Sequence, residues 1–295
     1  MKNTVFTGAG VALVTPMNDD LSINYTKLEE LIEMQIAGGT DAIITCGTTG
    51  ESATMSHAEH ADVIKFTVEC VKGRIPVVAG TGSNETAFAA DLSMEAERLG
   101  ADALLLVTPY YNKTSQRGLI AHYNYVADRV NIPMILYNVP SRTGCNIKPE
   151  TYLELSKHKN IVATKEANGD ISSVAKTMEL CGDNLQVYSG NDDQIVPIMS
   201  LGGKGVISVL SNVAPRAAHD IPTLCLAGDY ASASKLQLEY LQLINDLFID
   251  VNPIPVKEAL NIMGYKVGPC RMPLYEMDDA SKQKLTASLK KHGLC

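Results

Sequence analysis

The chain has 295 residues, a hydrophobic content of 45% and a formal net charge of -8 at pH 7. The length suits one large domain or two small ones, the acidic balance argues against a nucleic-acid partner, and no apolar stretch reaches the roughly 18 residues that span a membrane. The first residues lack the apolar core of a signal peptide, and seven cysteines without CxxC spacing predict reduced thiols, so we expect a soluble cytoplasmic protein.

Short apolar runs recur along the chain, and each is followed by small or polar residues. Runs that are apolar on both faces are typical of buried parallel strands. They cover 11–14, 42–45, 76–79, 103–107, 133–136, 161–163, 185–188 and 205–209.

Amphipathic helical patterns lie between most of these strands. One is predicted to begin after Asn24, and another after Ser56, which forms a capping-box pair with Glu59. From about Arg216 onward only helical patterns remain.

Alternating strands and helices predict parallel pairing with right-handed crossovers. A closed barrel and an open doubly wound sheet both fit, but no strand is followed by a GxGxxG turn, and eight strands favour the barrel. We therefore predict a (β/α)8 TIM barrel with additional C-terminal helices, divided into a catalytic barrel domain over 1–224 and a helical extension over 225–295.

In such barrels the reacting groups lie just beyond the carboxyl ends of the strands. Lys165 is the one lysine that directly follows an apolar strand. Burial there lowers the pKa of an amine, and a neutral amine attacks a carbonyl to form an imine. A lysine on the barrel rim that pairs with Glu166 is an equally weighted alternative.

Tyr137 and Thr48 follow two other strands and are candidates for the proton relay that an imine mechanism needs. Alone, each is better explained as an interior tyrosine or a helix N-cap. Arg142, five residues after Tyr137, suits bidentate carboxylate binding, with a surface ion pair as the alternative.

Metal and phosphate sites are weakly indicated. His57 and His60 are spaced to face one way on a helix, but no third ligand appears. The glycine-rich segment 202–205 precedes the eighth strand, on the face opposite the reaction, and we interpret it as a helix stop and turn. We expect no metal, no cofactor and no sugar-phosphate substrate.

At these residues the sequence resembles the dihydrodipicolinate synthase (4-hydroxy-tetrahydrodipicolinate synthase) family of class I aldolases. The resemblance covers nearly the whole chain and rests on five ordered motifs. They are Gly47-Thr-Thr-Gly-Glu-Ser52, Thr108-Pro-Tyr-Tyr-Asn112, Tyr137-Asn-Val-Pro-Ser-Arg-Thr-Gly144, Lys165-Glu-Ala167 and Asn252-Pro-Ile-Pro-Val256.

The resemblance implies condensation of pyruvate with aspartate 4-semialdehyde, the first committed step of lysine biosynthesis. Lys165 would form the pyruvate imine, Tyr137 would transfer protons, and Thr48 would link Tyr137 to Tyr111. Tyr111 would reach into the neighbouring subunit's site, which implies a tight dimer, and most members pair two such dimers into a tetramer. The remaining implied substrate contacts are Thr49 for the pyruvate carboxylate, Arg142 for the semialdehyde carboxylate, and the backbones of Gly190 and Ile207.

Two alternatives to this function remain. Related lyases that cleave N-acetylneuraminate or other 2-keto acids share the lysine and the tyrosine, although the Thr48-Thr49 and Tyr110-Tyr111 pairs look more like the synthase. A catalytically silent binding barrel is the other alternative, and the intact set of candidate residues argues against it.

Some family members bind lysine as a feedback inhibitor at the dimer cleft. The positions that match this allosteric site are Ser52, Ala53, His57, His60, Asn84, Phe88 and Tyr110. The lysine-sensitive pattern carries a carboxylate where this chain has Phe88, and a phenyl ring does not pair with an ammonium group. We therefore predict weak or absent inhibition by lysine.

Overall fold

A computed structural model describes residues 2–295. Eight parallel strands close into a barrel, each paired with its neighbours in chain order. The strands are β1 (Gly8–Ala12), β2 (Ala42–Thr45), β3 (Val77–Gly80), β4 (Ala103–Val107), β5 (Met134–Asn138), β6 (Ile161–Glu166), β7 (Gln186–Ser189) and β8 (Gly205–Ser208). The predicted TIM barrel is confirmed.

Helices separate the strands and continue beyond the last one. Those between strands are α1 (Tyr25–Ala37), α2 (His57–Val71), α3 (Thr86–Arg98), α4 (Gln116–Ala127), α5 (Pro140–Thr143), α6 (Pro149–Leu155), α7 (Ile171–Cys181) and α8 (Ile195–Ser200). Those after β8 are α9 (Pro215–Leu226), α10 (Tyr230–Asp246), α11 (Ile254–Ile262) and α12 (Asp279–Lys291). No helix within residues 2–295 is both long and apolar enough to cross a bilayer.

The helix starts follow the predicted capping chemistry. The Asn24 side chain accepts a hydrogen bond from the backbone N–H of Lys27 at the start of α1. Ser56 and Glu59 form a reciprocal capping box at the start of α2. The proposed division at 224/225 falls inside α9 and stays a prediction.

The first strand begins before the predicted 11–14 run. β1 starts at Gly8, which pairs with Gly205 of β8. Both residues have positive φ, and a Cβ at Gly205 would lie 1.9 Å from the Gly8 carbonyl oxygen. The barrel closes here through two glycines, which carry no apolar signal in the sequence.

The strands bury both faces, as their composition predicts. Alternate residues point into the barrel, such as Ile44 and Leu105, or outward against the helices, such as Ile43 and Leu104. Phe6, just before β1, stacks on an interior tyrosine of β7 with ring centroids 4.4 Å apart. The barrel is therefore filled by side chains, and the space for a substrate lies towards the carboxyl ends of the strands.

Candidate active site

Lys165 and Tyr137 lie side by side on the inner wall of the barrel. β5 and β6 pair so that Tyr137 stands opposite Lys165, and the Lys165 side-chain nitrogen lies 4.2 Å from the centroid of the Tyr137 ring. Lys165 belongs to β6 itself, because the strand extends beyond the predicted 161–163. It is only 5% exposed. The structure therefore brings together the predicted amine and the predicted phenol.

Burial changes the pKa of both groups in the direction that favours their neutral forms. It lowers the pKa of Lys165 to about 8, an effect that the Asp192 carboxylate opposes and the Arg142 guanidinium reinforces. Burial also raises the pKa of Tyr137 to about 12, against the opposing effect of Arg142. A neutral amine is a nucleophile and a neutral phenol is a proton donor, so the pair is suited to carbonyl chemistry.

Glu166 faces away from the barrel interior, on the other side of β6 from Lys165. Its carboxylate accepts hydrogen bonds from the Tyr152 hydroxyl and the Asn138 side-chain amide, both at 2.9 Å. The alternative of a Lys165–Glu166 ion pair is therefore wrong, because successive residues of a strand point to opposite faces. Burial raises the pKa of Glu166 to about 7, although these hydrogen bonds oppose the shift.

The turn after β2 carries the two adjacent threonines. Thr48 and Tyr137 both line a small cavity of about 20 Å³, a volume that accommodates one water-sized group. Thr49 is buried, and its hydroxyl accepts a 2.9 Å hydrogen bond from the Asn252 side-chain amide. The two hydroxyls therefore have different environments, one beside the phenol and one against the C-terminal segment.

A second cavity, of about 300 Å³, lies next to this turn. Thr48, Tyr110, Arg142 and Asn252 are among the residues that line it. Arg142, in the short helix α5, donates a 3.2 Å hydrogen bond from its guanidinium to the Asn252 carbonyl oxygen. The guanidinium thus lies at the wall of a cavity with room for a small organic acid, and its positive charge helps to lower the pKa of Lys165.

Gly190 and Ile207 belong to the wall that β7 and β8 form. The Gly190 backbone N–H donates a 2.7 Å hydrogen bond to the Glu166 carbonyl oxygen. A Cβ at Gly190 would lie 3.1 Å from the Lys165 Cγ, so a larger residue would crowd the lysine. Ile207 is fully buried inside the barrel.

Tyr111 lies outside this cluster. It is 91% exposed and adopts a left-handed backbone conformation with a φ of 68°. A tyrosine in this conformation is strained relative to a glycine. Within the described chain the phenol of Tyr111 therefore extends into solvent, apart from Thr48 and Tyr137.

The positions that match the allosteric site divide between two environments. His57 is exposed, and its ring packs edge-on against Phe88. Its Nε2 lies 2.5 Å from a carboxylate oxygen of Glu95. His60 is buried, and its ring nitrogen lies 2.7 Å from the Gly80 carbonyl oxygen. The two histidines therefore do not converge, and no group of three metal-binding side chains occurs within residues 2–295.

The other positions that match the allosteric site lie in the segments after β2, β3 and β4 and at the start of α3. Ser52 and Ala53 belong to a single 3₁₀ turn after β2. The Asn84 carbonyl oxygen accepts a 2.9 Å hydrogen bond from the Asn112 side chain, and Tyr110 is 37% exposed. Phe88 is 40% exposed, so its ring is accessible beside His57.

Two polar side chains near the site, those of Asp192 and Asn252, were not predicted from the sequence to belong to it. Asp192 is buried, and one of its oxygens accepts hydrogen bonds from the backbone N–H groups of Val209 and Leu210. Its other oxygen has no hydrogen-bond partner among residues 2–295. Asn252 begins the motif Asn252-Pro-Ile-Pro-Val256, yet its contact with Thr49 spans 203 positions and leaves no local signal.

The comparisons with known proteins cover almost the whole chain. The dihydrodipicolinate synthetase family model matches residues 5–292. The 4-hydroxy-tetrahydrodipicolinate synthases of Thermoanaerobacter sp. (strain X514) and Lachnoclostridium phytofermentans are each 57% identical to this chain over 291 residues. The matched residues cover 98% of this chain, 98% of the Thermoanaerobacter protein and 99% of the Lachnoclostridium protein. The crystal structure of the chloride-inhibited dihydrodipicolinate synthase from Acinetobacter baumannii complexed with pyruvate is 42% identical, with a TM-score of 0.97 and coverage of 99% of this chain and 100% of that one. The chain therefore belongs to the dihydrodipicolinate synthetase family.

Proposed function

We propose that the chain performs the 4-hydroxy-tetrahydrodipicolinate synthase reaction through a Schiff base on Lys165. The activity follows from its full-length relatives, which makes the chain an enzyme of lysine biosynthesis; the residues that perform it are our inference. The substrates are pyruvate and L-aspartate 4-semialdehyde. The mechanism needs no cofactor, because the imine on the lysine itself withdraws electrons from the reacting carbon.

The observation that carries this proposal is the buried amine beside a phenol. With a pKa of about 8, roughly a tenth of Lys165 is neutral at pH 7, whereas an ordinary lysine is neutral in about one molecule in several thousand. The neutral amine adds to the keto carbon of pyruvate, and loss of water gives the imine. Loss of a proton from the methyl group then gives the enamine, whose carbon attacks the aldehyde.

Tyr137 is placed to move the protons that these steps require. Its phenol is neutral because burial raises its pKa to about 12, so it can donate a proton to the departing hydroxyl and take one back. Thr48 shares the small cavity with Tyr137, and we assign it to the relay between Tyr137 and Tyr111.

Two groups are assigned to the carboxylates of the substrates. Thr49 and its backbone hold the pyruvate carboxylate, and Arg142 holds the carboxylate of the semialdehyde at the larger cavity. Gly190 and Ile207 line the pocket through their backbones. The lack of space beside Gly190 supports this assignment, because a side chain there would meet Lys165.

The exposure of Tyr111 supports an oligomer. A phenol in solvent completes no relay within its own subunit, so we propose that it enters the site of a partner in a tight dimer, and that two such dimers form a tetramer. We also propose a cytoplasmic location, in keeping with seven free cysteines.

Trapping the imine tests the mechanism. The protein is incubated with pyruvate, reduced with borohydride, and digested for mass spectrometry. We expect the adduct on the peptide that contains Lys165 and no adduct in the Lys165→Met variant. An adduct on another lysine, or none, would contradict the proposed mechanism.

Turnover measurements test the aldehyde partner. We expect condensation of pyruvate with aspartate 4-semialdehyde, and much slower cleavage of N-acetylneuraminate and other 2-keto acids. The reverse preference, with the adduct still on Lys165, would retain the Schiff base but replace the substrate.

A further inference from the structure

Glu51, in the turn that carries the two threonines, is fixed by a buried ion pair. It adopts a left-handed backbone conformation with a φ of 58°, which is uncommon for a residue other than glycine. Its carboxylate accepts a 2.7 Å hydrogen bond from the Lys257 ammonium group of α11. The side chains of Lys257 and Glu51 are 2% and 0% exposed.

The other hydrogen bonds of this pair lead to one more segment of the chain. The second Glu51 oxygen accepts a 2.8 Å hydrogen bond from the Arg271 backbone N–H. The Lys257 ammonium group also donates to the Pro269 carbonyl oxygen at 2.5 Å. The pair therefore joins the turn after β2 to α11 and to the chain at 269–271, which are more than 200 positions away in sequence.

The same two regions meet at Thr49. Asn252 lies two positions before α11 and donates its side-chain hydrogen bond to the Thr49 hydroxyl. Glu51 lies two positions after Thr49 in the same turn. Movement of α11 relative to the turn would therefore separate Asn252 from Thr49, and the ion pair opposes that movement.

Stability alone is a poor explanation for this arrangement. Removing two charges from water is unfavourable, and apolar residues of similar volume often stabilise a fold as well as a buried ion pair does. The ion pair instead adds geometric specificity, because its hydrogen bonds fix the position of α11 relative to the turn after β2.

We propose that Glu51 and Lys257 are positioning residues that hold Thr49 in place for the pyruvate carboxylate. They touch no reacting atom and act through the turn and through Asn252. This inference rests on the proposed function, because Thr49 is assigned there to pyruvate. Loss of the pair is expected to weaken pyruvate binding while the chemistry on Lys165 continues at saturating pyruvate.

The test replaces both charges together, because either single replacement leaves a buried charge without its partner. We expect the double variant Glu51→Leu/Lys257→Met to unfold cooperatively, to show a KM for pyruvate raised by about tenfold or more, and to keep kcat within about threefold. Borohydride should still trap pyruvate on Lys165 at saturating concentration. An unchanged KM, or a loss of kcat at unchanged KM, would overturn the proposal.

Two further variants keep the test decisive. Glu258 and Lys282 form a partly exposed ion pair at 3.0 Å between α11 and α12, and Glu258→Leu/Lys282→Met should leave the KM for pyruvate unchanged. If the first double variant does not fold, Glu51→Gln/Lys257→Met retains an acceptor for the Arg271 N–H. We expect it to show a smaller rise in KM, and no rise would overturn the proposal.

The two hypotheses fail in different ways. If wild-type protein forms its pyruvate adduct on a residue other than Lys165, the proposed function fails. If the adduct forms on Lys165 and the charge-free variant binds pyruvate as tightly as wild type, only the positioning role fails.

Discussion

The Tyr152 hydroxyl donates a 2.9 Å hydrogen bond to the Glu166 carboxylate on the outside of the barrel wall. Lys165, the preceding residue of the same strand, points into the barrel. Asn138, which pairs with Glu166 across the strands, donates to the same carboxylate. This network satisfies Glu166 without the lysine. Lys165 is therefore left free of an ion pair with its neighbour, which is the condition that an amine nucleophile needs.

The buried Glu166 carboxyl should make stability depend on pH. Its pKa is about 7 in the folded chain against 4.5 in the unfolded one, so the folded state binds more protons between these values, and stability falls as the pH rises through this window. We expect wild type to lose up to about 3 kcal/mol relative to Glu166→Gln between pH 4.5 and 7. Urea unfolding at several pH values measures this, with the exposed Glu69→Gln as control. Parallel curves for wild type and Glu166→Gln would contradict the prediction.

The buried Lys165 should lower the free energy of unfolding of the protein. Its pKa is lowered from 10.5 to about 8, so burial of the charged form is unfavourable at pH 7, and the penalty disappears as the pH rises from about 8 to 10.5. We expect Lys165→Met to abolish turnover and to raise the free energy of unfolding at pH 7 by up to about 3 kcal/mol. Denaturant unfolding at pH 7 measures the gain. A less stable variant at that pH would show that the ammonium group is well accommodated.

The rate of imine formation should follow the same ionisation. At subsaturating pyruvate, the rate constant should rise nearly tenfold per pH unit below about pH 8 and level off above it, because only the neutral amine reacts. Quenching the reaction with borohydride at successive times and at several pH values gives this profile. A profile that continues to rise to pH 10 would place the lysine in an ordinary solvated environment.

Arg142 should contribute mainly to use of the aldehyde substrate. Loss of a charge-assisted hydrogen bond weakens binding by about 1.5–3 kcal/mol, so Arg142→Ala should lower kcat/KM for aspartate semialdehyde by roughly 10- to 100-fold. Arg142→Lys should recover only part of this, since an ammonium group does not bind a carboxylate in a bidentate manner. Steady-state kinetics with each substrate varied measure both effects. An equal loss for pyruvate would argue against the assignment.

Hybrid oligomers test whether Tyr111 acts across subunits. Tyr111→Phe and Lys165→Met variants are each expected to be nearly inactive. When they are mixed and allowed to exchange subunits, a dimer of one of each contains one site with an intact Lys165 and a partner's intact Tyr111. We expect activity to appear on mixing, and persistent inactivity in verified hybrids would contradict a role in trans.

The response to lysine should be weak. Phe88 presents an exposed ring edge-on to His57, and it cannot pair with an ammonium group. We expect no inhibition below about 1 mM lysine, and Phe88→Glu should increase sensitivity. Inhibition assays on both proteins measure this, and half-inhibition of wild type at submillimolar lysine would contradict it.

The sequence was sufficient for the parts of the fold that repeat. Apolar runs located the eight strands, and the position of Lys165 after one of them located the candidate site. The start of β1 was missed because two glycines close the barrel there without an apolar pattern. The short helices α5 and α6 were also missed, since few turns leave little periodicity.

Contacts between distant segments were beyond any local pattern. Asn252 and Lys257 reach Thr49 and Glu51 over 203 and 206 positions. Nothing in the spacing of these residues indicates which turn they touch. Only the folded chain brings these residues to the turn after β2.

That long-range closure has a consequence for synthesis of the protein. Synthesis proceeds from the amino terminus, and all eight strands precede residue 209. The Asn252, Lys257 and Arg271 contacts to the turn after β2 arrive only later. The strands that form the barrel are thus synthesised before the residues that are proposed to hold Thr49 in place for pyruvate.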